Sequence, residues 1–274
     1  MMIDKFYKVN VIPLKELESF IGKVNHAAGL LVTIRPFLQS LWAALYSSNN
    51  RIAGTIWFKQ VSHSLSWLRA VFHHSTPGKI RIFKLSDFLG EGDAIEVGTD
   101  ASPWGLGGWL SINHIIVHYF YCGIDEFDKV LFNLTIGACE GQQTLECLAI
   151  LIAIRAWIPT SEQRIQLCPV VRGDNVAALS MLIKMRPRTD HMAIIGREIA
   201  LCLVHYSFLP AVYHTPGIAH VTADALSRIH DPAKPESIQI LQRPSLRNAT
   251  RTTVPVRTPA YYLALDEFAS PQSK

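Results

Sequence analysis

The sequence predicts an α/β protein: a five-stranded mixed sheet flanked by helices, with a small helical segment ahead of it. Three observations carry that prediction. From residue 94 the apolar pattern runs strand, strand, strand, helix, strand, helix, helix, strand, helix. Strands followed by alternating helices and strands build layered α/β folds. Residues 13–46 and 64–72, by contrast, show helical stripes. Finally, 49% of the 274 residues are hydrophobic and 18% are charged, which is enough apolar material for a sizeable core.

Residues 13–46 read as helical. Pro13 suits a helix start, and Leu14, Leu17, Phe20, Ile21, Val24 and Ala28 recur at helical spacing. Gly29 and Pro36 delimit a second piece with Phe37, Leu38, Leu41, Trp42 and Leu45 on one stripe, ended by Asn49 and Asn50. A further helix is predicted over 64–72 and stops before Pro77-Gly78. These stripes are packing faces, and no acids collect among them. Residues 80–92 read as a link with a strand at 80–83 and a turn at Gly90-Glu91-Gly92.

The first strand of the main domain is predicted at 94–100, because Ile95 and Val97 alternate with Glu96 and Gly98. Asp100 ends it, and Pro103 with Gly105, Gly107 and Gly108 reads as a turn. Strands follow at about 106–112 and 114–121, then a loop with Asp125, Glu126 and Asp128. A helix starts near 142–144 and runs to Trp157, closed by Pro159. A short buried strand covers 170–174 and a helix 175–185, capped by Asp174 or Asn175 and broken by Pro187. The remaining elements are a helix at 190–205, a strand at 209–214 and a short helix at 223–229 capped by Thr222. From Asp231 onward six prolines and many Arg, Ser and Thr read as a flexible extension.

Cys122, Cys139, Cys147, Cys168 and Cys202 form no CxxC pair, which argues against a zinc ribbon or a disulfide framework. A reducing intracellular compartment, cytoplasmic or nuclear, fits. No apolar run reaches the roughly 18 residues of a membrane helix. The net charge of +4 is segregated. Residues 1–90 carry 11 Lys/Arg against 4 Asp/Glu, residues 91–230 carry 9 against 14, and residues 231–274 carry 6 against 4. A basic arm beside an acidic middle suits a polyanion partner, although a solvated surface would look the same.

Four acids stand at element ends or on apolar faces: Asp100, Glu146, Asp174 and Asp224. Strand ends and helix starts converge in open α/β sheets, so these carboxylates are expected at one spot. Acids without basic partners repel one another, and divalent cations relieve that. Oxygen-only ligands favour magnesium or manganese. Each acid also has a purely structural reading. Asp100 satisfies the turn after its strand by bonding nearby backbone N–H groups. Asp174 caps its helix, Glu146 pairs with Arg155 or Arg172, and Asp224 caps a helix or pairs with Arg228.

Thr99-Asp100-Ala-Ser with its glycines, Glu146 in Thr-Leu-Glu-Cys-Leu-Ala, Gly173-Asp174-Asn175, and His214-Thr-Pro-Gly followed by Ala223-Asp224-Ala-Leu-Ser-Arg228 occur in this order. Together they resemble the ribonuclease H domain of retrotransposon reverse transcriptases, gypsy-like and tyrosine-recombinase-type elements above all. The likeness covers about 94–230. Leu17-Glu-Ser-Phe-Ile-Gly-Lys-Val-Asn-His26 and Arg35-Pro-Phe-Leu-Gln-Ser-Leu-Trp42 are similar to the thumb and connection helices that follow a polymerase palm.

The resemblance implies a domain plan of 1–62 thumb or connection segment, 63–92 linker, 93–230 ribonuclease H-like domain and 231–274 tail. It implies that Asp100, Glu146, Asp174 and Asp224 hold two magnesium ions, manganese being an alternative, and cut the RNA strand of an RNA–DNA hybrid. Such a domain reads the 2′-OH and groove shape rather than sequence. Gln143 and Asn175 are then polar contacts to the scissile strand, and Lys184, Arg186 and Arg188 are phosphate contacts, against a plain solvated basic turn.

Relatives usually carry Asn where this chain has His220, four residues before Asp224. His214 and His220 are candidates for assisting product release, against a surface or core role. No paired-aspartate polymerase motif occurs, so no polymerase activity is expected and an upstream polymerase domain of the same polyprotein is the implied partner. Two other readings stay open: a catalytically inactive nucleic-acid-binding remnant, and an integrase- or transposase-type nuclease of the same fold.

Overall fold

The computed structural model describes residues 2–47, 54–73, 94–158, 169–206 and 210–262. The strand expected at 80–83, the turn at Gly90 and the closing role of Pro159 lie outside them. The N-terminal segment holds α1 (Met2–Phe6), β1 (Val11–Pro13), α2 (Leu14–Ala27), α3 (Arg35–Tyr46), β2 (Thr55–Trp57) and α4 (Phe58–His73). The two helical stripes behave as packing faces. Leu17, Phe20, Ile21 and Val24 are buried on α2, and Phe37, Leu38, Leu41 and Leu45 on α3. Trp67 of α4 stacks on Phe37 with ring centroids 5.1 Å apart. α4 begins six residues before the predicted helix, so residues 63–73, expected in the linker, belong to it. The antiparallel β1–β2 pair was not foreseen, because three-residue strands are too short to show a period of two.

The main sheet is built from β3 (Ile95–Ser102), β4 (Gly105–Ile112), β5 (Ile115–Gly123), β6 (Val170–Gly173), β7 (Ala211–His214) and β8 (Thr250–Arg251). Its order is β7-β6-β3-β4-β5-β8. β4 runs antiparallel to both neighbours, while β6, β7 and β8 pair in parallel. The mixed sheet flanked by helices is the architecture predicted, with a sixth strand added at one edge. The helices are α5 (Glu126–Phe132), α6 (Gln142–Trp157), α7 (Val176–Lys184), α8 (Asp190–Tyr206), α9 (Val221–Ser227) and α10 (Pro244–Arg247). Residues 144 to 154 of α6 are all buried, as expected for a helix that is apolar all round. It packs on β3, β4, α7 and α8. Arg35 of α3 donates to the carbonyl of Lys184 at 3.0 Å, and the apolar cores of the helical segment and the sheet are continuous. No helix among the described residues is long and apolar enough to cross a membrane.

The opposite face of the sheet carries α9, a 3₁₀ helix (Pro235–Gln242) and α10, with Leu226, Ile240 and Leu246 buried against Ile116, Tyr119 and Tyr121. This corrects the reading of everything after Asp231 as a flexible extension. Residues 231–262 fold onto the sheet, and β8 pairs with β5 through His118–Thr250 and Tyr119–Arg251. Arg257 is buried. It donates from Nε to Asp128 at 2.5 Å and from Nη2 to the Gly123 carbonyl at 2.8 Å. Its backbone N–H donates to Asp125, and the Tyr262 hydroxyl donates to Asp128. A few aperiodic anchors hold this stretch, which composition does not reveal. The same anchors explain a second correction: Asp125, Glu126 and Asp128 open α5 rather than forming a loop.

Candidate active site

Three elements bring three of the predicted acids together. Asp100 lies inside β3 rather than at its end, because β3 continues to Ser102 and the hairpin loop is only Pro103-Trp104. The glycines expected in the turn belong to β4. Asp100 faces Gly107 across the β3–β4 pair. A side chain at Gly107 would collide with the backbone of Leu226 and Ser227, so a bare residue there lets α9 lie flush on the strand.

Glu146 is in the second turn of α6. Asp174 follows β6 directly, where the chain turns into α7. One carboxylate oxygen from each of Asp100, Glu146 and Asp174 lies within 4.8 Å of the others. Asp100 and Glu146 are buried and Asp174 is partly exposed.

The structural alternatives for these acids separate. Asp174 does not cap α7; the Asn175 side chain does, accepting from the N–H groups of Ala177 and Ala178 at 3.0 and 3.1 Å. Glu146 pairs with neither arginine: Arg155 is bound to Glu198 and Arg172 to Glu96, each at 2.6 Å. Asp224 does pair with Arg228, at 2.6 Å, and its side chain stays 42% exposed, outside the close group. Thr222 is not a cap, since α9 already begins at Val221.

The electrostatics follow from this packing. Burial, reinforced by the charges of Asp174 and Asp224, pushes the Asp100 carboxyl up to about 7, against the hydrogen bond from Ser227 and the charge of Arg228. Burial and the charges of Asp100 and Asp174 push Glu146 well above the usual carboxylate range, against the bond from Gln142. Carboxylates that repel one another in a desolvated site retain protons unless a positive charge replaces them. Among the described residues no lysine or arginine is paired with any of the three. An all-oxygen donor set suits a hard divalent cation such as magnesium or manganese.

Two neighbours of the acids, Gln142 and Ser227, are not among the residues the sequence singles out, whereas His220 is. Gln142 donates to Glu146 Oε1 at 3.1 Å and to the Ala101 carbonyl at 2.5 Å, whereas the predicted Gln143 is exposed. The signal was present: Gln142 precedes Glu146 by four residues, one helical turn. Ser227 donates to Asp100 Oδ2 at 2.6 Å. His220, immediately before α9, is buried, with Nε2 2.8 Å from the Thr99 carbonyl. His214 is exposed, with Nε2 3.1 Å from the carbonyl of Asp174. Lys184, Arg186 and Arg188 are exposed at the far end of α7, roughly 13 Å of helix from Asn175, and are not brought to the acids.

No family model and no curated protein matches this sequence. Three chains of solved structures match in three dimensions. One is the structure of LC11-RNase H1, isolated from compost by a metagenomic approach. It is 16% identical with a TM-score of 0.41, over 52% of this chain and 99% of that one.

Proposed function

We propose that this chain is a metal-dependent endonuclease that cuts the RNA strand of RNA–DNA hybrids, and that it is the part of a retrotransposon reverse-transcriptase polyprotein that follows the polymerase. The observation that carries the reading is the group of three carboxylates with oxygens within 4.8 Å and, among the described residues, no basic partner. The order of motifs from Thr99 to Arg228 supports the same reading.

In this proposal Asp100, Glu146 and Asp174 hold the cations and Asp224 is a fourth ligand, now engaged by Arg228. Magnesium or manganese bound there would supply an activated water and charge stabilisation for the leaving oxygen. Gln142 fixes the Glu146 carboxylate, and His220 ties the start of α9 to β3. Asn175 is committed to capping, so its part is to place Asp174 at the mouth of α7, with strand contact as a second role. Gln143, Lys184, Arg186 and Arg188 are exposed and remain proposed contacts for the hybrid backbone. The helical segment up to residue 62 serves as a basic platform beside the nuclease domain, whose start is placed near residue 93.

The test is cleavage of a labelled RNA–DNA hybrid with magnesium or manganese, with Asp174→Asn as the control. RNA-strand cuts by the wild type alone support the proposal. Equal inertness of both proteins would favour the inactive remnant. DNA strand transfer would favour an integrase-type nuclease.

A further inference from the structure

The Ser227 side chain is fully buried. Its hydroxyl lies 2.6 Å from Asp100 Oδ2 and 2.9 Å from the carbonyl of Asp224. One proton cannot serve both acceptors, and the charge-assisted bond to an ionised carboxylate is the stronger. The residue itself is held on three sides. Its backbone N–H rests against Gly107, its carbonyl accepts from Ser102 Oγ at 2.8 Å, and Leu226 beside it is fully buried. Among the described residues Ser227 is the one side-chain donor to Asp100. It also sits three residues after Asp224, on the same short helix.

We infer that Ser227 is a positioning residue that fixes the Asp100 carboxylate, committing one oxygen to α9 and orienting the other for a cation shared with Glu146 and Asp174. Through it, the register of α9 on β4 sets where Asp100 and Asp224 stand relative to each other. The inference rests on the metal-nuclease reading above and assigns a supporting role outside the acids themselves. Ligands held by such outer hydrogen bonds typically lose about 10-fold or more in metal affinity when the partner is removed.

The experiment is a manganese titration of substrate-free protein, followed by loss of the free-ion paramagnetic resonance signal, on wild type, Ser227→Ala, Ser227→Cys and Ser102→Ala. Ser227→Ala is expected to shift the manganese midpoint about 10-fold upward and to lower kcat with little change in KM, and Ser227→Cys to fall between it and wild type. Ser102→Ala loses an anchor but leaves the Asp100 bond in place, so its midpoint should stay at the wild-type value while its melting temperature falls. An unchanged midpoint in Ser227→Ala, or an equal shift in Ser102→Ala, overturns the inference. Failure of the wild type to bind manganese at all would instead overturn the underlying reading.

Discussion

Gln142 bridges Glu146 and the backbone of β3: its amide donates to Glu146 Oε1 at 3.1 Å and to the Ala101 carbonyl at 2.5 Å. Both neighbours are acceptors, which sets the orientation of the amide. Replacing Gln142 with alanine should lower kcat about 10-fold with KM nearly unchanged, because the Glu146 carboxylate loses its support. Gln143→Ala should instead raise KM with kcat near wild type, since that side chain is exposed and is a proposed contact for the hybrid backbone. Steady-state cleavage of a hybrid substrate compares the two.

The proton on Asp100 gives a second prediction. Its carboxyl is raised to about 7 in the folded protein, above the ordinary value near 3.8. A raised folded-state value means the native state binds the proton more tightly than the unfolded chain does. The stability it contributes is therefore full below about pH 4 and is lost as pH rises through about 7. Glu146 acts in the same direction. Without a cation the melting temperature should fall between about pH 6 and about pH 8. Magnesium should raise it more at the higher pH, where fewer protons compete for the ligands. A magnesium shift that is larger at the lower pH would contradict this.

Asp100→Asn removes the repulsion while keeping the shape. It should abolish cleavage and, in the absence of cation at about pH 8, stabilise the fold by about 1 kcal/mol. Urea unfolding at that pH reads the second effect.

The Arg257–Asp128 pair is the main tie of the C-terminal segment. Arg257→Ala leaves Asp128 buried without its cationic partner, with the Tyr262 hydroxyl still donating to it, and should cost about 3–5 kcal/mol. Asp128→Asn placed in the same chain should recover part of that loss. Denaturant curves for the three variants test it.

Gly107→Ala should harm function more than stability. The added methyl would collide with the Ser227 backbone nitrogen and lie 2.6 Å from the Leu226 carbonyl carbon, so α9 must shift, carrying Ser227 and Asp224 with it. Loss of activity with a melting temperature within a few degrees of wild type is the expected outcome.

Apart from α5, the strands and helices between 95 and 227 were legible because their apolar residues recur at two or at three and four, or run together. Val97, Ala101 and the apolar run of α6, interrupted only by Glu146 and Arg155, leave little choice of element. The meeting of Asp100, Glu146 and Asp174 was legible because each is fixed to an element plain in the sequence, even though β3 runs on past Asp100 to Ser102 and the strand end expected there is not found. Asp224 was placed on the right helix, but its pairing with Arg228 and its absence from the close group depend on side-chain directions that spacing does not give. Composition misled at the C-terminus. Pro-, Ser- and Arg-rich chain usually cannot bury enough apolar surface to fold, yet Ile240, Leu246 and Tyr262 enter a core built by other elements, and Arg257 finds two acids waiting. Gln142 and Ser227 went unread because a hydrogen bond to a carboxylate leaves no period behind.

The strap from Thr250 to Tyr262 also sets an order of events as the chain is made. Arg257 and Asp128 are 129 residues apart, and β8 reaches β5 only after every other strand of the sheet has been synthesised. Long-range closures of this kind form late, because the entropy of closing the loop is lost before any contact returns it. Ser227, which completes the surroundings of Asp100, leaves the ribosome 30 residues before Arg257. The acid cluster can therefore assemble on a sheet whose β5 edge is still open, with Asp128 still in water, and the docking of Arg257 is the step that seals the domain.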